Sequence, residues 1–145
     1  MKNLHEQPTY NETVERIAQL TPQSTATWGK MNVGQMLCHC KKPFEVILGK
    51  KDFGFKPNIL LQWLFKKSIY NDKPWRKGMP TAKGFKVVED KDFDHEKNEL
   101  LMLIDAFRAQ KAAEYNHPAF GNFTQEQCGQ MQYKHLDHHL KQFGA

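Results

Sequence analysis

The chain has 145 residues, with 21 Lys plus Arg against 16 Asp plus Glu, and a formal charge of +5. That length suits one domain spanning residues 1–145, and a 39% hydrophobic fraction with 26% charged residues excludes a disordered chain. The most apolar run, Ile59 to Phe65, is broken by Gln62 and falls well short of the roughly 18 residues a membrane span needs, and Met1-Lys2-Asn3-Leu4-His5-Glu6 lacks a secretory apolar stretch, so the expectation is a cytoplasmic protein with no membrane partner.

The first predicted helix covers Tyr10 to Leu20, with Val14, Ile17 and Ala18 at helical spacing, and stops at Thr21-Pro22 because the residue before proline is pushed out of the helical region. A polar link leads to Trp28-Gly29-Lys30. Asn32 then caps a second helix that repeats Val33, Met36, Leu37, Cys40, Phe44, Ile47 and Leu48 before Gly49 ends it, with Pro43 bending it from inside. A shorter helix runs from Pro57 through Leu60, Trp63 and Leu64 to Tyr70. Asn71 to Asp92 is a long link, broken by Pro74, Gly78, Pro80 and Gly84, with one extended piece at Phe85-Lys86-Val87-Val88. The next helix opens at Asp92 or Asp94 and continues through Leu100, Leu103, Ile104 and Phe107 to Tyr115. Residues 116–122 form a turn, and Thr124 caps a last helix reaching Phe143.

No strand hairpin is predicted. The expected fold is all-α: an up-and-down four-helix bundle with an extra short helix and a long link between the second and third bundle helices.

Seven histidines are present. At 100° per residue, Cys128, Met131, His135, His139 and Phe143 share one stripe of the last helix, with Leu136 beside it and Asp137 pointing away. Two imidazoles one turn apart on an inward face need partners for their nitrogens. Hydrogen-bonded core histidines, a pair facing a polar cleft, and a pair gripping one metal ion all satisfy that need, and the spacing alone does not choose. The His-Glu-x-x-His protease pattern is excluded, because Leu136 follows His135. A third ligand would come from another helix. His39, at the edge of the second helix's apolar stripe, is the candidate, against the alternative of a partly exposed packing residue. Three neutral imidazoles leave a coordination position open, as in catalytic sites.

His138 lies about 100° round from His139 and is read as a rim or supporting residue. His117, before Pro118, is a second rim residue; His5 falls in a frayed terminus and His95 in an exposed first turn. Cys38 and Cys40 flank His39 but cannot converge with it on one ion, and Cys40 and Cys128 are core residues. An odd cysteine count, with Cys38 and Cys40 on different helix faces, excludes a disulfide framework.

Two segments carry a resemblance. Trp28-Gly29-Lys30-Met31-Asn32-Val33-Gly34-Gln35-Met36-Leu37-Cys38-His39-Cys40, and His117-Pro118-Ala119-Phe120-Gly121 followed by Tyr133-Lys134-His135-Leu136-Asp137-His138-His139-Leu140-Lys141-Gln142-Phe143-Gly144, resemble an uncharacterised bacterial branch of the DinB-like superfamily. The resemblance implies a four-helix bundle with a three-histidine metal site, matched here by His39, His135 and His139. It also implies chemistry with a low-molecular-weight thiol on a small-molecule substrate; imidazole ligands suit zinc, nickel or iron, and water in the open position would give a metal-assisted hydrolysis instead. A non-catalytic metal or ligand module is the alternative. His138, His117 and Glu45 are the candidate general bases.

The basic pairs are dispersed and accompany no nucleic-acid-binding motif, so no nucleic-acid partner is expected. Lys66, Lys67, Arg76 and Lys77 are expected to surround the cleft and attract an anionic substrate. Trp63, Phe65 and Trp75 are read as a pocket lining or, preferably, a homodimer contact.

Overall fold

The computed structural model describes residues 1–145, the side chain of Leu61 apart. Five helices are formed: α1 (Gln7–Gln19), α2 (Val33–Ile47), α3 (Ile59–Ile69), α4 (Phe93–Ala109) and α5 (Gln125–Gln142). A single 3-10 turn, Lys83–Phe85, leads into the piece expected to be extended, and Lys86 has extended backbone angles. Capping boxes open α2 and α5: the side chains of Asn32 and Thr124 accept from the backbone N–H three residues on, and Gln35 and Gln127 reach back.

The all-α expectation is corrected by a hairpin. Strands β1 (Glu114–His117) and β2 (Gly121–Thr124) pair antiparallel, with Tyr115 opposite Phe123 and His117 opposite Gly121. The chain is therefore mixed, 53% helical and 6% strand. Helix α4 stops at Ala109 rather than Tyr115, because Tyr115 turns its ring inward from a strand. Four residues are too few for period-two alternation to stand out from the tail of a helix. The turn chemistry was the readable signal: Pro118 opens a three-residue loop, and Gly121 closes it at φ +70°.

Helix α2 packs against α4 and α5, and α1 packs against α5. Their shared core includes Phe44, Phe107, Phe123, Leu37, Ile104 and Leu136, all nearly or fully enclosed. The ring of Phe107 stands 5.6 Å from Phe44 and 4.5 Å from His5. His5 thus belongs to the core edge, and the expected frayed terminus is ordered: Leu4 is fully buried and its N–H donates to the Gly129 carbonyl. A glycine is required there, since a side chain at 129 would overlap Asn3. Buried Lys41 and Glu96 pair at 2.7 Å between α2 and α4, and Arg16 meets Asp137 at 2.9 Å between α1 and α5.

The long link lies strapped across α2. Gln35, His39 and Lys42 follow one another at i, i+4 and i+7, so they share a face. Their side chains bind successive link carbonyls: Gln35 donates to Val88 and Glu89, His39 to Phe85, and Lys42 to Gly84 and Lys86. Gly34 lets the strap approach, because a Cβ at that position would overlap the Lys91 carbonyl oxygen. The link's other end is fastened to α5: the ammonium of buried Lys134 donates to the Ser68 carbonyl and to both oxygens of Asn71, at 2.7–2.9 Å. No helix among the described residues is long and apolar enough to cross a membrane.

Candidate metal centre

The inward stripe of α5 forms as its periodicity predicts: Cys128, Met131, His135, Leu136, His139 and Phe143 are all buried, while Asp137 turns toward Arg16 and Lys141. His39 comes from the facing turn of α2 and is 4% exposed, so it is no partly exposed packing residue. The three rings form a near-equilateral triangle, with centroids 4.9 Å apart for His39 and His135, 4.6 Å for His39 and His139, and 4.8 Å for His135 and His139. One nitrogen from each lies within 4.8 Å of the other two, close enough to hold a single ion.

Hydrogen bonds set the tautomers. A carbonyl oxygen only accepts, so the contact of His39 Nδ1 with the Phe85 oxygen at 2.9 Å puts the proton on Nδ1 and leaves Nε2 bare. At His139 the same outcome is reached through an amide. The Trp28 carbonyl requires a donor, which makes the Gln142 atom 2.6 Å from it Nε2; Oε1 then faces His139 Nδ1 at 2.8 Å and must receive a proton from it. His139 Nε2 is bare as well.

His135 turns its Nε2 to that of His39 at 3.0 Å, and its Nδ1 is buried with no partner among the described residues. Without an ion the pair must share a proton, since two facing lone pairs repel. A cation removes that demand, so the donor set fits a divalent metal held by three neutral imidazoles.

The electrostatics keep these rings neutral. Burial pushes His135 well below the usual imidazole range, with the neighbouring histidines adding to the effect. Burial, aided by His39, lowers His139 to about 3 despite the Gln142 hydrogen bond. His39 is lowered by burial and partly restored by the Phe85 carbonyl. Neutral imidazole is the metal-binding form.

Beside the triad lies a cavity of about 270 Å³, lined by all three histidines and by Phe55, Ile69, Trp75, Met79, Phe85, Phe120, His117 and His138. His138 sits on its wall between the rings of Trp28 and Trp75, with centroids 5.9 and 5.8 Å away, and 5.1 Å from His139. It falls outside the ligand cluster, as its 100° offset predicts. His117 is not on the rim as expected but buried in β1, where its Nδ1 accepts the N–H groups of Ala119 and Phe120 at 3.1 and 3.3 Å. Glu45 lies away from the cavity and pairs with Lys51 at 3.7 Å.

Nor do Lys66, Lys67, Arg76 or Lys77 line the cavity. Lys66 donates to the Asn122 carbonyl, and Lys77 lies over Trp28 at 4.5 Å. The aromatic trio divides: Trp75 is cavity wall, with its indole N–H on the Ser68 carbonyl, whereas Trp63 and Phe65 face outward at 80% and 51% exposure.

Sequence reasoning missed Gln142, although its i, i+3 offset from His139 places both on one face. It also missed the Trp28 and Phe85 carbonyls, which no side-chain pattern marks.

No curated protein and no solved structure matches the chain. One family does, described as Protein of unknown function (DUF1569), and its match spans residues 2–145. With nearly the whole length covered, the chain belongs to the DUF1569 family.

Proposed function

We propose that this protein is a DinB-like metalloenzyme, in which His39, His135 and His139 hold a divalent ion (zinc, nickel or iron) and the cavity beside them takes a small-molecule substrate. The observation that carries the reading is the pair of bare Nε2 atoms, on His39 and His139, fixed toward one point by Nδ1 hydrogen bonds to Phe85 and Gln142. When bound, a divalent ion with an open position lowers the pKa of a thiol or water there and supplies a nucleophile at neutral pH.

The chain's own residues supply the rest. His138 has no hydrogen-bond partner among the described residues and is kept neutral by burial, so a ring nitrogen is free to take the S–H or O–H proton. The sulfur or oxygen then bonds to the electrophilic carbon. The leaving group departs with its electron pair and takes that proton back from His138. Aromatic walls exclude water from the reacting atoms.

Elemental analysis of tag-free protein tests the site. About one divalent ion per chain is expected, with loss in His135→Ala. Failure to take up zinc, nickel or ferrous iron on reconstitution would overturn it. Turnover is then assayed with panels of thiols and electrophiles on metal-loaded and metal-stripped protein. Turnover only when loaded supports the enzyme; bound metal with no turnover overturns the catalytic part in favour of a metal-binding module.

A further inference from the structure

The wall of the cavity specifies what it can hold. Its surface is built mainly of carbon: Phe55, Ile69, Trp75, Met79, Phe85 and Phe120 face it, and no lysine, arginine, aspartate or glutamate among the described residues does. A charged ligand entering such a wall loses its hydration without compensation, at a cost that excludes it unless a counter-ion waits inside. The rings Phe55 and Phe85 meet edge to face with centroids 4.9 Å apart and offer apolar surface to the cavity, which Trp75 also lines. A cavity of about 150 Å³ already admits benzene, so about 270 Å³ accommodates a substituted ring.

One polar feature of this wall lies outside the histidine triad and has a fixed sense. His117 spends its Nδ1 lone pair on two backbone N–H groups of its own turn, so its neutral ring must carry the proton on Nε2. Among the described residues that N–H meets no acceptor, and the ring lines the cavity. A general base needs a bare nitrogen toward its substrate; His117 presents a donor instead. The hairpin that corrects the all-α expectation is therefore the element that builds this donor and aims it.

We infer that the cavity binds an uncharged, largely apolar molecule of aromatic size carrying one hydrogen-bond acceptor, which His117 holds through Nε2–H. As the identity of the electrophile, this assignment rests on the metalloenzyme reading; as a binding preference, it stands on the wall alone. The anionic substrate expected from the dispersed lysines meets none of their ammonium groups inside.

Three probes of one shape separate the terms: benzamide is neutral with an acceptor, toluene neutral without one, and benzoate anionic. Their affinities are measured by tryptophan fluorescence on wild type, on His117→Asn and on His117→Gln, each metal-stripped and zinc-loaded. Asn keeps an oxygen where Nδ1 caps the turn but loses the reach of Nε2; Gln restores the reach. In stripped wild type, benzamide is expected to bind at least about tenfold more tightly than benzoate and about fivefold more tightly than toluene. His117→Asn removes the advantage over toluene, and His117→Gln restores part of it. Equal binding of benzoate and benzamide in the stripped protein, or benzamide binding indifferent to His117→Asn, would overturn the inference. Zinc uptake with all three probes refused overturns it alone, whereas this probe pattern with no zinc uptake overturns the metal reading and leaves the cavity assignment standing.

Discussion

Acidification of the metal-stripped protein will weaken its fold by an amount that one substitution can apportion. His117 is 7% exposed, and burial lowers it from 6.5 to about 4. Because the folded value lies below the unfolded one, the stability tied to neutral His117 is present above about pH 6.5 and is lost as pH falls toward about 4. Between about pH 7 and pH 5 the unfolded imidazole takes up a proton that the folded ring refuses, a difference of about 1.8 kcal/mol. His139, lowered to about 3, adds roughly 2 kcal/mol over the same interval, and buried His135 acts in the same direction. The sum is a large share of the roughly 5–15 kcal/mol that stabilises an ordinary domain. Urea unfolding of stripped wild type and of His117→Asn at both pH values reads the His117 share, since Asn retains the turn's acceptor and does not titrate. The variant should narrow the pH difference by about 2 kcal/mol. A difference unchanged within about 0.5 kcal/mol would refute the claim that His117 is held neutral by burial.

Gln142→Leu should leave the His139 Nδ1–H and the Trp28 carbonyl unpaired, lowering stability by about 1–3 kcal/mol and metal affinity about 10–100-fold; chelator competition and thermal melting measure the two, and an affinity within twofold of wild type contradicts the role given to the amide. Lys134→Met removes one donor from each of three acceptors at the start of the link and leaves the Asn71 carbonyl unpaired, so a loss of about 1–3 kcal/mol is expected, together with a shifted Trp75 emission as its backbone anchor loosens. Gly34→Ala forces a methyl against the Lys91 carbonyl where backbone cannot yield cheaply, and a loss of about 1–3 kcal/mol by denaturant midpoint follows.

What the amino-acid sequence discloses divides along physical lines. The caps at Asn32 and Thr124 and the stripe through His135 and His139 were readable because each depends on residues within two or three turns of one helix. His39 followed from the apolar face of α2, since a helix must bury its stripe somewhere. The hairpin was not readable from periodicity: Glu114-Tyr115-Asn116-His117 alternates too briefly to differ from a fraying helix, and its pairing with Gly121–Thr124 shows only through turn residues. For the same reason His117 was misplaced on the rim. Its burial comes from Phe123 and Phe55, one across the hairpin and the other from the segment before α3.

The supporting shell of the candidate site shows most plainly why local reading stops where it does. His39 is aimed by a carbonyl of the link, 46 residues away, and His139 by an amide whose other end is held by the Trp28 carbonyl, 114 residues from it. Gly29, at φ +84°, brings that loop close enough that a side chain on it would collide with the Gln142 amide. Both tautomers thus depend on backbone carbonyls, of Phe85 and of Trp28, from segments that carry no ligand. In sequence these look like connectors; in the fold, each is a hydrogen-bond partner whose removal would let an imidazole rotate or carry its proton on the wrong nitrogen. The resemblance-bearing motif beginning Trp28-Gly29 therefore has a physical role independent of any relative: it clamps Gln142, and through Gln142 it keeps the Nε2 atom of His139 bare and pointed at the place where an ion would sit.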